Sequence, residues 1–146
     1  MNNIIENFLT QQEEQAIIDA IRDAELNTSG EIRVHLENSC SDNAYNRAVE
    51  VFTILKMNNT KLQNAVLIYV AVQDKSFAVI GDKGIHDFVT ETFWAQTKNV
   101  IENHFKSGDY ALGLTNGILQ IGIQLKQYFP WHLNDKNELP NNLSKS

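Results

Sequence analysis

The sequence predicts an α/β fold: an αβα sandwich in which a short mixed sheet of three to four strands carries helices on both faces. Three observations lead there. Amphipathic stretches alternate with β-branched runs in the order helix, strand, helix, strand, strand, helix, helix. The run Ala65-Val66-Leu67-Ile68-Tyr69-Val70-Ala71-Val72 is almost continuously apolar, as suits a strand covered on both sides. A helix-length segment separates it from the strand before it, which makes a βαβ unit and therefore a parallel pair.

Each element has its own signal. Residues 10–26 read as a helix, because Thr10 and Glu13 form a capping-box pair and Ile17, Ile18, Ile21 and Ala24 recur at helical spacing. Asn27-Thr28-Ser29-Gly30 ends it with turn chemistry. Glu31-Ile32-Arg33-Val34-His35-Leu36 alternates polar with apolar, the pattern of a half-buried strand. After a polar loop, Ser41 or Asp42 can cap a second helix with Tyr45, Ala48, Val49, Phe52 and Leu55 on one face. Asn58-Asn59-Thr60 breaks that helix, and the apolar strand follows.

Gln73-Asp74-Lys75-Ser76 turns the chain, and Phe77-Ala78-Val79-Ile80 returns antiparallel as a hairpin. Gly81-Asp82-Lys83-Gly84 leads into a helix bearing Phe88, Val89, Phe93, Trp94, Val100 and Ile101. Trp94 and Tyr45 read as core. Ser107-Gly108-Asp109 precedes a last helix, about residues 109–128, in which Gly113 and Gly117 permit close helix packing. Residues 1–130 form one domain; 131–146 read as a polar, mobile tail.

Bulk properties narrow the function. The 146 residues, 42% hydrophobic and 21% charged, suit a single globular domain with a real core. A formal net charge of −6, without any Lys/Arg cluster, argues against nucleic acid as a partner. The N-terminal residues lack the basic and apolar regions of an export signal, and no apolar run is long enough to span a bilayer. The expectation is a soluble, cytoplasmic protein without membrane insertion. Cys40 is the only cysteine, which removes disulfides and thiolate metal sites and leaves a small loop residue. His35 reads as a surface or satisfied strand histidine. His104, near a helix end, interacts with the dipole there. EF-hand, P-loop, HExxH and GxSxG patterns are all absent.

Topology gathers the carboxylates. With the first two strands parallel and the third antiparallel, Gly81 and Asp82 fall at the same sheet edge as Glu31, beside the 58–64 loop, while Glu37 and Asp42 fall at the opposite edge. Glu31, Asp82 and Asp87 then converge with Asn64 and loop carbonyls. Neighbouring carboxylates repel until one takes up a proton, or until a hard cation such as Ca²⁺ or Mg²⁺ bridges their oxygens. Gly81 and Gly84 would let backbone carbonyls turn inward. His86 would suit a softer metal. Asp87 could equally complement a helix dipole.

Three segments resemble the TPM domain family: Ser29-Gly30-Glu31-Ile32-Arg33-Val34, Gln63-Asn64-Ala65-Val66-Leu67-Ile68-Tyr69-Val70-Ala71, and Ala78-Val79-Ile80-Gly81-Asp82-Lys83-Gly84-Ile85. Their order and spacing match over about residues 8–129. The resemblance implies an αβα sandwich, a divalent-cation site at that strand edge and, for some members, phosphatase activity. Glu31 and Asn64 match family positions. Many members place Asp before that Asn, where this chain has Gln63. Many also carry Leu-Glu-Gly-Val-Leu-Pro-Asp after the glycine turn, where this chain has Ile85-His86-Asp87-Phe88-Val89-Thr90-Glu91. The acid is displaced by one position, and Glu91 stands where Asp would be. The implied metal ligands are therefore Glu31, Asn64, Asp82, Asp87 and Glu91.

Two functions follow as expectations. In the first, a divalent cation orders the 58–64 and 82–87 loops, and an unidentified protein partner reads that order. In the alternative, the chain is a metal-dependent acid phosphatase acting on phosphate monoesters, with Asp82 or Glu91 as base. A purely structural interaction domain without any ligand is the third reading.

Overall fold

Caps decide where the helices begin. The computed structural model describes residues 4–130 and 143–145. After a short α1 (Ile4–Phe8), α2 (Gln11–Glu25) opens on the expected capping box: Glu13 N donates to Thr10 Oγ1 at 3.0 Å, and Thr10 N to Glu13 Oε1 at 2.8 Å. The next helix, α3 (Ala44–Ile54), is capped by Asn43 rather than by Ser41 or Asp42. Asn43 Oδ1 accepts from Asn46 N at 2.7 Å, and Asp42 instead accepts from the Asn46 side chain.

The single helix expected after Gly84 is two: α4 (Lys83–His86) and α5 (Glu91–Lys106). Thr90 Oγ1 accepts from Phe93 N at 3.2 Å and so starts a new helix three residues after the Asp87 cap of α4. The last helix, α6, spans Tyr110–Tyr128. Its glycines allow close approach, as expected. A methyl group at Gly117 would lie 2.8 Å from the Ile101 side chain, and one at Gly122 only 2.6 Å from Ala24 Cβ. Among the described residues, no helix is long and apolar enough to cross a membrane.

The strands are β1 (Glu31–Glu37), β2 (Ala65–Ala71), β3 (Ser76–Gly81) and β4 (Leu143–Lys145), in the order β3-β2-β1-β4. β1 and β2 run parallel from Glu31↔Ala65 to Glu37↔Ala71, whereas β2 and β3 run antiparallel with Val66 opposite Gly81. β4 adds in parallel on the free side of β1, with His35 opposite Ser144. β4 falls within the segment read as a tail; the rest of that segment, 131–142 and 146, lies outside the described residues. Three residues carry no periodicity, so nothing local marks them as a strand.

Side-chain alternation makes two cores. Ile32, Val34, Leu36, Val66, Ile68 and Val70 face α2, α5 and α6 and build the larger one, which includes Trp94. Ala65, Leu67, Tyr69 and Ala71 face α3, where Ala48, Val51 and Phe52 cover them together with Met57. Tyr45 is 59% exposed rather than core. It sits in the first turn of α3, lining a small cavity with Val79 and Ile80 at the edge of the sheet.

Candidate functional site

The rim at the start of β1 is assembled by strand register. Ala65 is opposite Glu31 on one side, and Asp82 N donates to Ala65 O at 2.9 Å on the other. Glu31 and Asp82 therefore flank one small residue, about 10 Å apart at Cα by two strand spacings. Both are buried, Glu31 to 2% and Asp82 to 9% exposure, and Asn64 beside them is 1% exposed. This is the edge that the sequence predicted.

Each rim residue is locally fixed. Asp82 Oδ1 accepts from Lys83 N at 2.8 Å and caps α4. Its Oδ2 is buried and has no hydrogen-bond partner among the described residues. Asn64 Nδ2 donates to Ser29 Oγ at 3.2 Å. Gln63 adopts the left-handed conformation, at φ 53°, so that its carbonyl accepts from Gly84 N at 2.9 Å. Gly81 and Gly84 are not in that conformation. Their role is space: a methyl at 81 would meet the Trp94 ring at 2.9 Å, and one at 84 would collide with the Leu62 carbonyl oxygen.

The sequence reading missed Glu25, the last residue of α2. It is 8% exposed, and its Oε2 accepts from Ile32 N at 2.7 Å. Burial first, and the nearby Glu31 charge after it, push its carboxyl up to about 8 against the Ile32 hydrogen bond, which pulls it down. A signal was available, because Glu25 follows Ile21 by four and lies on the helix's buried face.

The remaining predicted ligands, Asp87 and Glu91, are exposed. Asp87 is exposed at the end of α4. Glu91, exposed in the first turn of α5, lines the small cavity with Tyr45, Val79 and Trp94. His86 Nε2 is 3.1 Å from Gly81 O. Among the described residues, no three His, Cys, Asp or Glu side chains are placed to hold a metal ion together. The rim instead pairs two carboxylates with an amide.

A layered α/β domain with buried carboxyl groups at the head of a parallel strand pair is the class of protein these features define. The TPM domain family model matches residues 4–124, and the chain belongs to that family. It is similar to the BA42 protein from the psychrophilic bacterium Bizionia argentinensis, whose NMR structure shares 58% identity, with a TM-score of 0.89 over 97% of this chain and 98% of that one. Two more distant solution structures share the fold. The N-terminal domain of a P. gingivalis protein gives 18% identity and TM-score 0.69, covering 86% of this chain and 83% of its own. The N-terminal domain of cg2496 from Corynebacterium glutamicum gives 13% and 0.65, covering 85% and 78%. A search of curated proteins finds no match.

Proposed function

We propose that this TPM domain is a divalent-cation-binding module, with Asp82, Asn64 and Glu31 as the ligands at the rim and with Ca²⁺ or Mg²⁺ as the ion. The observation that carries the reading is Asp82 Oδ2, a buried carboxylate oxygen with no hydrogen-bond partner among the described residues. Leaving such an oxygen unsatisfied is costly, and a hard cation coordinated by oxygen satisfies it. The donor set fits: two carboxylates and an amide carbonyl are oxygen ligands, with water and loop carbonyls to complete the shell. When bound, the ion supplies positive charge between the Glu31 and Asp82 carboxylates. Asp87 and Glu91, both exposed, act at longer range by drawing the cation to this edge.

Binding has a structural consequence. The 58–64 and 82–87 loops meet through the Gln63–Gly84 hydrogen bond, so an ion on Asn64 and Asp82 favours that joined arrangement. A protein partner that contacts both loops would then bind the cation-loaded domain more tightly.

Equilibrium dialysis with elemental analysis, on wild type and Asp82→Asn, tests the reading. Wild type retains Ca²⁺ or Mg²⁺, and the variant loses most of it. No retention by wild type at about millimolar free metal, a concentration that fills even weak extracellular-type calcium sites, overturns it.

A further inference from the structure

A second polar constellation lies further along β1, on the face that α3 covers. Glu37 is held there by Arg47, which donates from Nε and Nη2 to its two oxygens at 2.8 Å each, and by Tyr69 OH at 2.7 Å. Those contacts hold the Arg47 guanidinium firmly charged and push the Tyr69 phenol up, burial being the larger cause for Tyr69. Lys145, from β4, is likewise paired, with Glu6 and Glu14. Arg33 is different. Its Nε donates to Ser144 Oγ, and among the described residues it has no carboxylate partner.

Arg33 is nonetheless half-buried, and burial disfavours its charge. It opens onto a cavity of about 320 Å³ between β1, β4 and α3. Arg33, the buried His35, Ser144 and Lys145 lie on one side together with the Glu37–Arg47 ion pair, whose carboxylate is already held by Arg47 and Tyr69, while Val51, Ile54 and Leu55 of α3 and its end form an apolar wall. A guanidinium without a carboxylate partner among the described residues, facing a cavity with one apolar wall, matches a molecule with one negative end and one aliphatic end.

We propose that this cavity binds a small aliphatic monocarboxylate, its carboxylate on Arg33 and Ser144 and its hydrocarbon body against Val51, Ile54 and Leu55. A monoanion balances the Arg33 guanidinium, which has no acidic partner among the described residues. The volume sits at the lower end of ligand pockets, which suits a small anion. Ser144 contributes because its oxygen accepts from Arg33 and its hydroxyl hydrogen remains to be donated to the ligand. β4 is therefore part of the binding wall and not only a sheet edge. The site draws nothing from the rim cation.

The test uses isovalerate on the full chain freed of divalent ions, followed by the Arg33 Nε–Hε NMR resonance and by calorimetry. The expected result is a saturable Arg33 shift with isovalerate and none with isovaleramide or with chloride at equal ionic strength. Arg33→Lys weakens binding about tenfold, because the charge stays and the planar fork goes; Arg33→Met abolishes it. An equal response to isovaleramide or chloride, or unchanged affinity in Arg33→Met, overturns the proposal. Should Arg33→Met fail to fold, the acid-versus-amide comparison on wild type still decides it.

Discussion

The amide of Gly84 donates to the carbonyl oxygen of Gln63 at 2.9 Å, and a methyl group at Gly84 would sit 2.7 Å from that same oxygen. Backbone, not a flexible side chain, occupies the space, so the clash cannot be relieved by a rotamer change. Gly84→Ala is expected to destabilise the domain by about 3 kcal/mol, the upper part of the overpacking range. Urea unfolding measures it as a lower midpoint with an unchanged slope. A midpoint equal to wild type would mean that the two loops are not held together in this way.

Stability should fall as pH rises through the neutral range. Glu25 titrates near 4.5 when unfolded and is raised to about 8 in the native state, so the native chain binds the extra proton between those values. Its contribution is complete below about pH 4.5 and is lost as pH climbs through 8. Glu25→Gln keeps the acceptor for Ile32 N and stays neutral. Chemical denaturation of metal-free protein at pH 5 and pH 8 should show the wild type losing stability across that interval relative to the variant.

His35 has the opposite sign. Burial, its largest influence, holds the imidazole below its ordinary value of 6.5, while Glu37 opposes that shift. The unfolded chain therefore takes up a proton first, and the contribution, present above 6.5, is lost as pH falls through the native value. With Glu25→Gln as background, denaturation midpoints should rise from pH 5 to pH 7. Adding His35→Gln should flatten that rise.

Carboxylates of the rim and of the neighbouring helices should separate on metal titration. Asp82→Asn keeps the α4 cap but removes a charged ligand, and cation affinity should drop at least about tenfold, the scale set by ligand charge in oxygen sites. Asp87→Asn and Glu91→Gln, both at exposed positions, should change affinity less than about threefold, as distant screened charges do. Thermal melts with and without Ca²⁺ read all three, because an ion bound only by the native state raises the midpoint.

The Glu37 anchor is a stability element. Arg47→Met removes both donors from a carboxylate whose side chain is only 12% exposed, and should cost about 2 kcal/mol. Tyr69→Phe removes one donor and should cost about 1 kcal/mol. Combining them tests coupling, since groups sharing one acceptor depart from additivity.

What could be read in the sequence was whatever short-range patterns encode. Alternation over Glu31–Glu37, the apolar run of β2 and the Thr10–Glu13 pair fixed strand faces, parallel pairing and a helix start, and those in turn brought Glu31 and Asp82 to one rim. What could not be read depends on distant partners. Tyr45 shares a helical face with Ala48 and Phe52, yet α3 places it at the margin of the sheet, where burial ends. Helical spacing from Ile21 puts Glu25 on the buried face, but its hydrogen-bond partner, Ile32 N, is supplied only when the strand that follows folds back. β4 is visible only once β1 has an open side for it.

Arg33 and Ser144 are 111 residues apart in sequence, and their strands lie side by side. On the ribosome, the outer backbone of β1 therefore waits for β4 while α3 to α6 and the hairpin are made. At synthesis rates of about 5–20 residues per second that interval lasts several seconds, long enough for another chain's strand to compete for the vacancy. β4, the last of the described strands in sequence, closes this edge, so a chain halted before residue 143 would leave a β1 edge open to aggregation.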